Sequence, residues 1–134
     1  MQAIAETSRS YSLLLFKRRL AHLRRRSYRD VELKEILYHT AALLIAREYM
    51  DKLKAMHEHF DLNVDYAPSR RASLLHVAIA HGSTTALEFL CTAFPHAINN
   101  TIHLNDLTPR LFAEQRNSKE CLTILNEAVE TLIV

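Results

Sequence analysis

Glycine occurs once in this chain of 134 residues, as Gly82, and that scarcity restricts the fold more than any other feature. Glycine accepts left-handed backbone without steric cost, so tight hairpin turns and phosphate-cradling loops draw on it repeatedly. A P-loop or a dinucleotide-binding fingerprint needs several glycines within a few residues and cannot be assembled here. Three Pro, no Trp and no Asn-Gly or Asp-Gly dipeptide argue equally against a hairpin-rich β sandwich. With 49% hydrophobic and 24% charged residues, the chain has the composition of one folded domain with a modest core. The class left to it is all-α.

Charge divides the chain. Residues 1–29 carry eight Lys/Arg against the single carboxylate Glu6, a formal +7, whereas residues 30–134 carry nine against fourteen, or −5. Leu13, Phe16, Leu20 and Leu23 recur at helical spacing, which predicts a basic helix over 11–26. Asp30 suits the N-cap of a second helix through Val31, Leu33, Ile36 and Leu37. From about residue 40 short apolar helices alternate with polar turns, and Pro68, Pro95 and Pro109 fall at the breaks. No run approaches the ~20 apolar residues of a transmembrane helix. The apolar run 13–16 is followed at once by charge, unlike a secretory signal peptide, so a cytoplasmic protein is expected. Cys91 and Cys121 lie within apolar helical patterns without metal-ligand spacing, and they read as buried free thiols.

The apolar units recur. Ser73-Leu74-Leu75-His76-Val77-Ala78, then Gly82, then Ala86-Leu87-Glu88-Phe89-Leu90, returns 35 residues later as Thr108-Pro109-Arg110-Leu111-Phe112-Ala113, Asn117 and Cys121-Leu122-Thr123-Ile124-Leu125. Shifted back by 32 it meets Leu43-Leu44-Ile45-Ala46, and the unit closes with Asp61-Leu62-Asn63-Val64-Asp65. Over roughly residues 40–128 this pattern resembles the ankyrin repeat, with its Thr-Pro-Leu-His-x-Ala, Gly-His and Gly-Ala-Asp-Val-Asn signatures. Departures are Arg110 and Leu111 in place of Leu-His, Leu44 at the His position, and a first unit without Thr-Pro. The segment 31–37 looks like the second helix of a degenerate leading repeat. The resemblance implies an ankyrin-like solenoid of about three degenerate helix-turn-helix repeats. Residues 1–39 would cap the stack as basic N-terminal helices, and 40–134 would divide near 40–69, 70–104 and 105–134. Each unit cannot bury its apolar stripe alone, so stacking is a physical requirement. Gly82, Asn117 and Met50 stand where the first helix of each unit ends and a left-handed residue is wanted. The apolar C-terminal run 131–134 either folds over the last unit or docks a partner, including a second copy.

Catalytic and metal chemistry find no support in the spacing. His57 and His59 are two apart on a helix and diverge. His76 matches the family's structural histidine, and no nucleophile elbow can be built without glycines. Glu114, Glu120, Glu127 and Glu130 occupy solvated helical positions. Arg70-Arg71-Ala72-Ser73 has the form of a basophilic-kinase site, but Ser73 aligns with the helix cap. We therefore expect no enzyme, cofactor or metal. The resemblance implies a protein–protein interaction module, an adaptor or inhibitor, with a delivered pathogen effector as one setting. Its concave surface would bind through loop tips at Ser69, Arg70, Ala72, Asn105 and Leu107. The inner helix faces would contribute Glu48, Tyr49, Ala80, His81, Gln115 and Arg116. Tyr49, Arg70, His81 and Arg116 lead this set, because Arg and aromatic side chains carry most interface energy. The alternative is a nucleic-acid or anionic-membrane binder acting through the basic helix 9–29, by Lys17, Arg18, Arg19, Arg24, Arg25, Arg26 and Arg29.

Overall fold

A computed structural model describes residues 2–25, 29–64, 66, 73–99 and 107–133. Among them every regular element is helical: α1 (Gln2–Arg25), α2 (Asp30–Ala46), α3 (Met50–Phe60), α4 (Leu74–His81), α5 (Thr84–Ala93), a 3-10 helix (Pro95–Asn99), α6 (Pro109–Gln115) and α7 (Lys119–Ile133).

Local chemistry sets many of the boundaries. Thr108 holds extended backbone before α6 and accepts the Leu111 N–H at 3.2 Å, while Pro109 supplies a preset φ in the first turn. Ser73 holds the N-cap position of α4 in extended backbone without a side-chain capping bond, and Gly82 ends that helix in the left-handed region at φ 66°. Asp51 lies in the first turn of α3, where a carboxylate favours the helix dipole. At α2 the N-cap position belongs to Arg29, without a side-chain capping bond, and Asp30 is the first helical residue, one place later than expected of a cap.

The helices pack as antiparallel pairs, α2 with α3, α4 with α5 and α6 with α7. The first members form one row in which α4 contacts both α2 and α6. The second members form another: α1 lies on α3, α5 lies on α7, and the His57 ring of α3 meets Phe89 and Phe94 at centroid distances of 6.0 and 5.1 Å. This placement explains why every residue of the run 74–79 is buried in a helix of only eight residues: α4 has neighbours on three sides. Leu53, Leu87, Leu90 and Leu125 close the core between the rows, each fully buried. Burial of one such leucine stabilises by about 1.5–3 kcal/mol. The 3-10 helix adds Ala97 and Ile98 beneath α5 and α7.

Polar links tie successive pairs. Ser83 Oγ donates to the Ile45 carbonyl at 2.7 Å. Buried His76 bonds Ser73 Oγ through Nδ1 and the Leu107 carbonyl, 3.0 Å away, through Nε2. A carbonyl can only accept, so Nε2 carries the proton and, in the neutral ring, Nδ1 accepts from the Ser73 hydroxyl.

The N-terminal third departs from the sequence expectation. The first helix starts at Gln2 and not near 11, and α2 runs without a break through residues 39 and 40, where a boundary was expected. The segment 31–37 is the start of α2, a first-row helix, so it is not the second helix of a leading unit. No helix among the described residues is long and apolar enough to cross a membrane.

Candidate functional site

The backbone marks three equivalent positions along the first row. Glu48, Gly82 and Asn117 have φ of 55°, 66° and 54°. Each closes its helix with the same hydrogen bonds: Glu48 to Ile45 and Tyr49 to Leu44, Gly82 to Ile79 and Ser83 to Ala78, Asn117 to Glu114 and Ser118 to Ala113, all between 2.9 and 3.1 Å. The first two units are thus in register at 34 residues, not 32. Two expectations change with it. The left-handed residue of the first unit is Glu48, and Met50 begins α3. The His76 position is matched by Ala42, while Leu44 matches Ala78 and is buried with it.

Register decides which side chains share a surface. Glu48 and Tyr49 were expected on an inner helix face, but Glu48 is the turn residue and Tyr49 the N-cap of α3, 45% exposed. The helix-face positions equivalent to Ala80 and His81 are Ala46 and Arg47 in the first unit and Gln115 and Arg116 in the third. Arg47, His81 and Arg116 are all exposed, each one residue before its left-handed turn. Arg116 reaches back to α4, where its guanidinium donates to the Ala80 carbonyl at 3.1 Å and covers the Phe112 ring at 5.7 Å. One helical turn earlier stand Leu43, Val77 and Phe112, of which Leu43 is 52% exposed. Arg47 and Leu43 escaped the sequence reading because the run 43–46 offers several apolar alignments. The turn residue, had Glu been considered there, would have found them.

The remaining candidates are placed as follows. Ala80 is half-buried, and Gln115 is exposed. Leu107 serves through its carbonyl, which accepts from His76. Ser69, Arg70, Ala72, Asn105 and Arg26 lie outside the described residues. Ser73, the acceptor of the kinase-like motif, is buried against His76. On α1 the side chains of Lys17, Arg18, Arg19, Arg24 and Arg25 are exposed, as is Arg29 after it. Leu14, 47% exposed, shares a face with Arg18 and Arg25, at the i, i+4 spacing to Arg18.

A groove of about 640 Å³ runs between Ser12–Leu13 of α1 and the segment 47–52. Lys52 bridges its wall, with Nζ 6.0 Å from the Phe16 ring centre and 5.1 Å from that of Tyr49. His57 Nδ1 accepts the Leu62 N–H at 3.2 Å, which engages that ring in closing α3. No group of three or more metal-ligating side chains occurs among the described residues. Both cysteines are free and buried. Burial, with Cys121 and Glu88 nearby, pushes the Cys91 thiol from 9.0 up to about 11, the reverse of an activated nucleophile.

The far end of the first row carries charge at two positions that are core in α4. Arg110 and Glu114 occupy the positions of buried Leu75 and Ile79, and Arg110 Nε lies 3.8 Å from Glu114 Oε1. The side chains of residues 131–134 lie outside the described part. Comparison of the chain with protein-family models, with curated proteins and with solved structures gave no match.

Proposed function

We propose that this chain is a small protein-interaction module, an adaptor or inhibitor built as a short ankyrin-like stack, which holds a partner protein against the exposed side of α2, α4 and α6. The observation that carries this reading is the repeated turn. Three helices end in the same backbone geometry, and each presents an exposed nitrogen-bearing side chain, Arg47, His81 or Arg116, at the same place. A surface assembled from equivalent positions of stacked units is what such arrays use to grip extended partners. The reading is non-enzymatic and cytoplasmic, and a host-cell cytosol is one setting for it.

The test places a photo-reactive residue at His81 and, in a second protein, at the exposed Thr92 of α5. Cross-linking of one protein species from position 81 but not from position 92 supports the reading. Equal capture from both, or none from 81, refutes it. A truncation beginning at residue 30 would be a poor probe, because α1 covers α3 and buries Leu20.

The second reading, an anionic membrane or nucleic acid held by α1, is favoured by one observation. Arg18 and Arg25 stand exposed beside Leu14 on the outer face of an end helix. Glutamates at Arg18 and Arg25 would abolish binding under that reading and leave cross-linking from 81 intact under the first. Steep loss of binding with salt would accompany it.

A further inference from the structure

Resting on the second reading and independent of the first, we infer that the outer side of α1 seats in the major groove of duplex DNA, with basic side chains on its two flanks gripping phosphates on both walls. Residues 7–29 include no Asp or Glu, so no carboxylate of that stretch offsets its Lys and Arg. The inward face of α1 is already occupied: Leu20 is buried, and Leu13 and Phe16 pack on the core. At 100° per residue, exposed Arg24, Lys17, Arg25, Arg18 and Arg19 follow one another around the remaining arc of about 220°. Arg18 and Arg25 form its crown. Lys17 and Arg24 stand on one flank, and Arg19 stands on the other.

That spread fits a groove better than a plane. A flat bilayer meets the crown, but the flanking side chains lie about 90–110° around from it, so they project along the lipid plane or away from it. A helix that lies in a membrane surface also inserts an apolar face, and here that face is held by the core. Exposed Leu14 and half-buried Leu15 sit at one end of the arc, and from residue 16 onward it holds no large apolar side chain. A groove has walls as well as a floor. The major groove of B-DNA is about 12 Å wide and an α-helix with its side chains about 10–12 Å across, so flanks on both sides reach phosphates together. The crown arginines then face the acceptor-lined base edges of the floor. A single strand would call for aromatic side chains on which to stack its bases, and the arc has no Phe, Tyr or Trp among its described side chains. Duplex RNA offers a major groove too deep and narrow for side chains to read.

The experiment titrates the full chain into a short labelled mixed-sequence DNA duplex. The corresponding single strand, the RNA duplex and vesicles of phosphatidylserine and phosphatidylcholine in equal parts are run beside it. The DNA duplex is expected to bind best, with log K falling against log salt at a slope of about −3 for three phosphate contacts. Arg19→Ala with Arg24→Ala should flatten that slope by about 2 and weaken duplex binding by about tenfold or more. Arg18→Glu with Arg25→Glu should abolish it. All four arginines are exposed, so these variants keep the fold, which circular dichroism checks. Equal binding of the single strand or the RNA duplex, tighter binding of the vesicles, or a flank pair that changes neither slope nor affinity overturns the inference. If the crown reversal still abolishes binding in that case, α1 remains an anionic contact and only the DNA groove is wrong. If the crown reversal leaves binding intact, or if nothing binds at low salt, the second reading itself fails and the inference with it.

Discussion

Replacing His76 by leucine tests the stacking logic, because the same position recurs in the next unit with a different neighbour. His76 is 1% exposed and joins Ser73 Oγ to the Leu107 carbonyl, so it links the cap of α4 to the chain entering α6. Leucine fills nearly the same volume, which keeps the cavity term small, but it abandons both partners. An unsatisfied buried polar group costs about 1–3 kcal/mol. The Ser73 hydroxyl, equally buried, bears that cost in full, while the half-buried Leu107 carbonyl recovers part of it from water. The expected loss is about 2–3 kcal/mol, and each kcal/mol lowers Tm by about 3–5 °C in a domain of this size. The equivalent residue Leu111 has no further first-row helix over it among the described residues and is 47% exposed, so Leu111→His should stay within about 0.5 kcal/mol of wild type. Thermal and denaturant unfolding followed by far-UV circular dichroism measure both. Adding Ser73→Ala to the His76→Leu protein should cost less than the sum of the single changes. A His76→Leu loss below about 1 kcal/mol, or equal losses at 76 and 111, would refute the argument that burial by the following unit makes the histidine matter.

Three further outcomes follow from the same structure. Glu48→Gly should raise stability by about 0.5–1 kcal/mol by relieving φ 55°, whereas Gly82→Ala should cost about 1 kcal/mol although no atom lies within 4 Å of the added Cβ; denaturant midpoints decide both. Cys91 should resist thiol reagents at neutral pH until the protein unfolds, as followed by the rate of labelling. The folded thiol holds its proton to about 11 while the unfolded one releases it near 9.0, so its contribution to stability is intact below pH 9 and falls between pH 9 and 11. Leu20→Ala should cost about 2–3 kcal/mol because α1 is part of the packed second row, whereas charge reversal at exposed Arg18 should leave the melting temperature almost unchanged.

What could be read from the chain is what short-range chemistry encodes. Thr108-Pro109 starts a helix and Gly82 ends one whatever surrounds them, because caps and left-handed turns are settled within a few residues. The buried thiols and the all-helical class follow from periodicity in the same way. The register of the first unit does not. Leu43, Leu44 and Ile45 can each be slid against α4 at little local cost, and only packing buries Leu44 and Ile45, leaves Leu43 in solvent and forces Glu48 to positive φ. Contact with α3 likewise makes α1 a member of the second row, which its basic composition does not reveal. At the other end, Arg110 and Glu114 look like ordinary helix-surface charges until α4 shows that their predecessors are core residues. Which flank of a short apolar helix meets water is set by its neighbours' positions, a long-range property, and that is why Arg47 and Leu43 emerged only from the tertiary structure.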